Sequence, residues 1–398
     1  MMFLEFFIWG GWFVTLGTFL GNNLGANGAQ IGMAFSTQSW GAIIAPFIVG
    51  LIADKYFNAE KILGVLHLLG GLLMYQMYTS QDFGGFYPFV LGYMILYMPT
   101  LALINSVSFG QMTDTTKEFP FIRVFGTIGW IVAVNLISIF NWDSEIGIKE
   151  GLLKNTFLMC AIASFCLGIF SFFLPNTPPS VNKNKKKSIS EILGLDALKL
   201  LKDKNFLIFF ISSILISIPL AFYYQNLSPF LTESKVPNSS SWTSIGQFSE
   251  VLFMLLLPFF FNRFGFKKTI LIGMLSWAIR YGLFAYGNGG DLFFMLLIGI
   301  VLHGICYDFF LVSGQIFTDS KAGEKYKSSA QGLITLATYG VGMLIGFWTA
   351  GKITDLYTVA GVHEWVSIWT FPAVFSIAVF FLFLFSFKDE AIEYKNED

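Results

Sequence analysis

Twelve apolar runs, each long enough to cross a bilayer, constrain this chain more than any other feature of its sequence. They lie at 2–21, 31–53, 60–79, 86–109, 121–141, 152–174, 205–232, 241–262, 267–286, 292–317, 328–350 and 365–387. About 20 apolar residues in helical form match the thickness of a hydrocarbon core. No water reaches the backbone there, so a spanning segment must satisfy its own amides, and a helix does so alone. Composition agrees. Of the 398 residues, 55% are hydrophobic, 18% aromatic and 12% charged, about half the charged share usual in soluble domains. The chain reads as an all-α polytopic membrane protein rather than a soluble enzyme.

Connections between the runs are short, with one exception. From Pro175 to Lys204 the sequence turns polar and basic, NTPPSVNKNKKKS, and then amphipathic, ISEILGLDALKLLKD. This predicts an N-terminal six-helix bundle over 1–174, a linker over 175–204, a C-terminal six-helix bundle over 205–387 and a tail over 388–398. Residues 189–201 are expected to form a short helix lying on the membrane surface. Lys and Arg concentrate in cytoplasmic loops. With the N-terminus inside, 18 of the 24 basic residues face the cytoplasm and four the other side, while Arg123 and Arg280 fall within spans. Both termini are therefore expected in the cytoplasm. The first run has no basic leader and reads as a retained helix. The formal net charge of −1 gives no sign of a nucleic-acid partner. Cys160, Cys166 and Cys306 all sit in apolar runs without metal-ligand spacing, so no metal and no cofactor is expected.

Charges at bilayer depth are expensive, at about 2.5–3.5 kcal/mol on insertion scales, so each one asks for a task. Asp308 lies in the apolar stretch LHGICYDFFLVSG, Leu302 to Gly314. A carboxyl there can load and release a proton, or can form a static pair with Arg280 or Arg123 that holds two helices. His303 and Tyr307 lie within reach along the same helix. Glu250 and Gln247 share a face of span eight, three residues apart, and two such polar groups at that depth are unlikely to face lipid. Arg123, Thr127 and Trp130 lie at i, i+4 and i+7, one face that suits solute binding; the alternative is an arginine snorkelling to nearby headgroups. Glu5, close to the N-terminus, could reach cytoplasmic water but is read as structural. Arg280, near the outer end of span nine, is read as structural, and His67 carries no usable signal.

Six spans, a basic linker and six more resemble the major facilitator superfamily. The segment GLIADKYFNAEK (Gly50 to Lys61) is similar to that superfamily's loop motif, and its Asp54 and Lys55 would serve as a conformational latch. Longer stretches narrow the resemblance to the bacterial nucleoside–proton symporters. These are WGGWFVTLG (Trp9 to Gly17), YMPTLALIN (Tyr97 to Asn105), FPFIRVFGTIGW (Phe119 to Trp130), ILGLDAL (Ile192 to Leu198), QFSEVLFMLLLPFF (Gln247 to Phe260) and YDFFLVSG (Tyr307 to Gly314).

The resemblance implies two six-helix bundles, alternating access with a solute site near the midplane, and nucleoside uptake across the bacterial inner membrane. Protons would be the coupling ion, the protein a monomer in the lipid bilayer, and its partner a small-molecule solute. Arg123, Thr127 and Trp130 would line the pocket from one half, and Gln247, Glu250, His303, Tyr307 and Asp308 from the other. Trp130 and Tyr307 would stack on a base, Gln247 and Glu250 would bind ribose hydroxyls, and Asp308, with Glu250 as its rival, would carry the proton. Span seven departs from the pattern. Where relatives place amides, this chain has Ala221 and Tyr224, while Gln225 and Asn226 are adjacent, offset by about 100° of helix rotation. Tyr224 and Gln225 are included among the pocket residues on that basis. His303 stands where relatives can carry a phenol. A symporter of another polar solute, such as a sugar, stays open as an alternative. An intramembrane enzyme finds no support in the sequence, which has no HExxH and no GxSxG.

Overall fold

The computed structural model describes residues 1–48, 57–113, 115–178 and 195–389. Asp54, Lys55 and the first part of the expected surface helix lie outside the described residues. Ten described helices are long and apolar enough to span a membrane, against twelve expected runs. The difference is one of division. Ser239–Tyr286 is a single 48-residue element that holds two expected spans, broken at Gly265, whose φ of 76° no helix accommodates. The second expected span is Gly28–Ile48, which ends at the edge of the described residues.

The chain divides into two compact units. One comprises Met1–Ser188 with Leu231–Ser244, the other Ile189–Phe230 with Ile245–Asp398. In the first unit the helices are α1 (Met2–Phe13), α2 (Leu16–Asn23), α3 (Gly28–Ile48), α4 (Ala59–Thr79), α5 (Phe83–Phe109), α6 (Thr115–Ile139), the short α7 (Glu145–Lys149) and α8 (Asn155–Ser171). The first expected span is thus two helices, parted at Thr15, whose ψ of 1° is not helical. Asp82 starts α5 by accepting the Gly85 N–H at 2.8 Å, a side-chain cap on an otherwise orphaned donor. Edge-to-face aromatic contacts fill the core: Trp12 on Tyr93 at 5.5 Å, Phe19 on Phe157 at 4.8 Å and Phe13 on Phe35 at 5.0 Å. α1 and α6 approach closely because Gly129 has no side chain; a Cβ there would lie 2.1 Å from the Phe3 carbonyl oxygen.

Residues 231–244 join this unit through Asp143. Its Oδ2 accepts from Ser138 Oγ at 2.7 Å and from the Ser240 N–H at 2.9 Å, and Ser138 Oγ accepts from the Ser241 N–H at 3.1 Å. A carboxylate thus sits on the first amides of the helix beginning at Ser239, where both free N–H groups and the helix dipole favour it.

The second unit contains a 3₁₀ turn at Leu195–Lys202, then α9 (Lys204–Glu233), most of α10 (Ser239–Tyr286), α11 (Phe293–Tyr307), α12 (Ser313–Thr335), α13 (Met343–Leu356) and α14 (Trp365–Ser386). The part of the expected surface helix that is described, Leu195–Lys202, is therefore 3₁₀ rather than α. Two π-helical turns interrupt the apolar runs, Asp308–Val312 after α11 and Leu336–Gly342 after α12. Such turns are rare and gather at functional sites. A two-residue antiparallel pair, Thr358–Val359 with Val362–His363, links α13 to α14. Its turn residues Ala360 and Gly361 both have positive φ, as a tight type I′ hairpin requires. Phe209, Phe266 and Phe317 pack together in one layer, and Phe230, Tyr281 and Trp369 in another. Large apolar side chains also point outward, among them Phe121, Phe173, Leu255 and Phe385, each more than three-quarters exposed. On a soluble protein such a surface would be an interaction patch; on a spanning bundle it is the surface for lipid.

Candidate functional site

Within the first unit, α6 presents Arg123, Thr127 and Trp130 along one face. Arg123 is exposed and its guanidinium stands 4.1 Å from the ring centroid of Phe6, a cation–π contact that gives the charge a fixed seat. Trp130 is half-buried, with its ring edge-on to Trp9 at 5.8 Å. Thr127, also half-buried, lies between them.

The second unit gathers most of the other predicted residues. α10 and α11 meet where the Gly304 N–H donates to Ser249 Oγ at 3.0 Å. This contact brings Glu250, next along α10, to within 3.8 Å of His303 Nε2. Glu250 and Gln247 are both half-buried on the same helix face. His303 is 2% exposed and stacks on Tyr223 at 5.1 Å between centroids. Behind it lies Arg280, fully buried, with its guanidinium 3.6 Å from the Tyr223 ring centroid and Nη1 3.1 Å from His303 Nδ1. A guanidinium only donates, so Nδ1 accepts. The hydrogen of the neutral imidazole is then on Nε2, the nitrogen facing Glu250. Arg280, read from sequence as structural, turns its long side chain from α10 into the polar cluster, where it supports His303 and fixes the histidine tautomer.

One turn further along α11, the Tyr307 hydroxyl lies 2.8 Å from that of Tyr339, so the end of α11 meets the second π turn through a pair of phenols. Asp308 opens the first of those turns. It is fully buried, and neither carboxyl oxygen has a hydrogen-bond partner among the described residues. The static pair with Arg280 is not formed. Tyr224 is half-buried beside Tyr223, with ring centroids 5.6 Å apart. Gln225 is 1% exposed, and its amide lies against α13, donating to the Phe347 carbonyl at 3.1 Å and accepting from the Gly351 N–H at 3.2 Å. The rotation offset inferred from sequence places it away from Tyr224's side of α9. Ala221 is fully buried, packed against Gly346.

Sequence reasoning missed Arg280, Tyr223 and Tyr339 in this cluster, and Glu5 with His67 in the first unit. Glu5 does not reach water. It is fully buried and 2.8 Å from His67 Nε2, because α1 packs its face against α4 and α5 rather than opening to the surface. An arginine flanked by Trp277 and Tyr281 in an apolar run was the available signal for Arg280. For Glu5 it was the presence of a histidine in another span with no partner of its own.

Helices of spanning length, two π turns and a polar cluster with a buried carboxyl are the features of a secondary transporter of the major facilitator build. Comparison with known proteins specifies the family. The model of the nucleoside H+ symporter family matches residues 1–391, and the chain belongs to that family. It is 43% identical to YegT of Escherichia coli (strain K12), a provisionally named nucleoside transporter, over 98% of this chain and 92% of the relative. It is 35% identical to the xanthosine permease of the same organism, over 98% and 94%. A crystal structure of the nucleoside transporter NupG superposes with a TM-score of 0.90 at 30% identity, covering 97% of this chain and 98% of that one. A POT family transporter, PepTSo, shares the fold with a TM-score of 0.71 at 15% identity.

Proposed function

We propose that this chain takes up nucleosides with protons across the bacterial inner membrane, with both termini cytoplasmic and the monomer as the working unit. The observation that carries the reading is Asp308: a fully buried carboxyl, at the start of a π turn, with neither oxygen partnered among the described residues. An ionised carboxylate without donors is costly in a dry interior, so occlusion of this side chain goes together with a bound proton. A carboxyl that gains its proton on one side of the membrane and loses it on the other couples the two fluxes, provided solute binding depends on the same state.

The solute is recognised by the Arg123–Thr127–Trp130 face of the first unit and by Gln247, Glu250, His303, Tyr307 and Tyr224 of the second. Glu250 and Gln247 offer acceptors and donors for ribose hydroxyls, with the Nε2–H of His303 beside them. Trp130 and Tyr307 offer flat surfaces for a base. The Asp54–Lys55 latch and the division at the 175–204 linker belong to the same reading. Uptake of radiolabelled uridine and adenosine into proteoliposomes tests it. Accumulation should follow an imposed inward proton gradient and collapse with a protonophore; dependence on Na⁺ instead would overturn the proton assignment. Ala221 and Tyr224, at span-seven positions to which the family resemblance assigns amides, favour one second reading, a sugar or sugar derivative as solute. Competition by a panel of nucleosides and sugars, followed as ligand-induced thermal stabilisation, separates the two.

A further inference from the structure

Glu5 is the most deeply buried acid among the described residues of the first unit, and the proposed transport cycle makes no use of it. Its Oε2 lies 2.8 Å from His67 Nε2 and its Oε1 2.5 Å from Thr100 Oγ1. The carbonyl of the same residue accepts from the Tyr97 hydroxyl at 2.8 Å. His67 is in turn held by Ser164. Ser164 Oγ donates to the His67 carbonyl at 2.9 Å and lies 3.2 Å from His67 Nδ1. A hydroxyl has one hydrogen. Spent on the carbonyl, it leaves Ser164 Oγ to accept from Nδ1–H, so one hydrogen remains to be shared between His67 Nε2 and Glu5. Four helices, α1, α4, α5 and α8, are thereby tied at one buried point.

What that point controls lies one turn along α1. Phe6 supports the guanidinium of Arg123 at 4.1 Å. Trp9 stands edge-on to both Tyr97 and Trp130, at 5.8 Å in each case. Gly10 lies so close to Trp130 that a Cβ would meet its ring at 2.8 Å. The face of α6 that bears Arg123 and Trp130 therefore rests on α1, and the rotation and height of α1 are set by Glu5.

We propose that Glu5 is a positioning residue for solute recognition: it fixes α1 and, through Phe6 and Trp9, the Arg123–Trp130 face. This rests on the reading of that face as part of the solute site. The hydrogen count makes a specific distinction. Thr100 Oγ1 lies 2.5 Å from the Tyr97 carbonyl as well, so its one hydrogen serves either acceptor. In Glu5→Gln the amide NH₂ donates to His67 Nε2 and the amide oxygen stays available to Thr100, so the bond to His67 is kept. In Glu5→Leu all side-chain bonds are lost while volume is preserved.

The test compares wild type, Glu5→Leu, Glu5→Gln and Arg123→Ala in proteoliposomes, as uptake against concentration of radiolabelled uridine and adenosine, normalised to reconstituted protein. Glu5→Leu should raise KM about tenfold with Vmax within about twofold, the signature of displaced binding groups rather than a damaged fold. Glu5→Gln should restore the KM to within about threefold. A second measurement needs no substrate: the rate at which a water-soluble maleimide alkylates Thr127→Cys in a Cys166→Ser background. Glu5→Leu should change that rate several-fold and Glu5→Gln should not. An unchanged alkylation rate in Glu5→Leu overturns the inference, as does a loss of Vmax alone. If Arg123→Ala has no effect on KM in a transporting wild type, the recognition role of that face and this inference fall together. If Arg123→Ala raises KM and Glu5→Leu does not, only the inference falls.

Discussion

Arg280 Nη1 lies 3.1 Å from His303 Nδ1 while the same guanidinium covers the face of Tyr223. An acid-facing Nε2–H is the consequence, and it makes Arg280 the support of Glu250's neighbour rather than a counter-ion for Asp308. Arg280→Met removes the donor while keeping most of the volume. We expect it to lower stability by about 1–3 kcal/mol, the range for a buried acceptor left unpaired, and to weaken nucleoside binding about tenfold. Thermal unfolding and binding titrations of the solubilised protein check the two parts separately.

Asp308→Asn keeps the shape of the side chain and removes its titration. Proton-driven accumulation should be lost, whereas solute exchange between equal compartments should continue. Counterflow measured beside gradient-driven uptake distinguishes these outcomes, and undiminished accumulation would exclude Asp308 as the coupling group.

Glu250→Gln retains hydrogen bonding but abolishes the charge beside His303. A hydrogen bond to an ionised acceptor exceeds a neutral one by about 1 kcal/mol or more, so affinity should fall about tenfold. Isothermal titration with the transported nucleoside is the direct measure; an unaltered affinity removes Glu250 from the recognition surface.

The hydroxyls of Tyr307 and Tyr339 bond each other between the end of α11 and the second π turn. Tyr307→Phe and Tyr339→Phe should each cost about 1 kcal/mol, and the double substitution little more than either. Additive losses in a thermal-denaturation cycle would show that the two phenols act apart.

Asp203 precedes α9 and accepts the Phe206 N–H at 2.9 Å and the Lys321 ammonium at 3.1 Å. Partial burial pushes its carboxyl up, but the Phe206 amide and Lys321 outweigh this and hold it below the usual aspartate range. A carboxyl depressed in the folded state contributes stability above its unfolded pKa and loses it as pH falls through the folded value. Asp203→Asn should therefore lower stability at neutral pH by no more than about 1 kcal/mol at so exposed a site, read as a small fall in Tm. The difference from wild type should vanish in acid, below the ordinary aspartate range.

The spanning helices were legible because bilayer thickness writes itself into the length of apolar runs. The helix-facing residues of α6 and α10 were legible for a similar reason, since i, i+3, i+4 and i+7 spacings survive in any helix. Contacts between helices distant in sequence were not. Glu5 and His67 are 62 residues apart, and Arg280 and His303 are 23 apart; nothing in either local sequence says which partner it meets. Depth along the span gave Arg280 a structural reading but not its partner, because a side chain of that length reaches well beyond its own turn. The π turns left no recognisable mark in composition.

The hairpin at residues 358–363 and the break at Gly265 differ in how much slack they leave. At Gly265 two membrane crossings join through one non-helical residue, so an inserted tag there would push directly on both. Ala360 and Gly361 instead form an exposed tip, held by two residue pairs and flanked by outward-facing Val359 and Val362. For anyone attaching a fluorophore, an epitope or a fiducial domain to this transporter, that tip is less coupled to the spans than the break at Gly265.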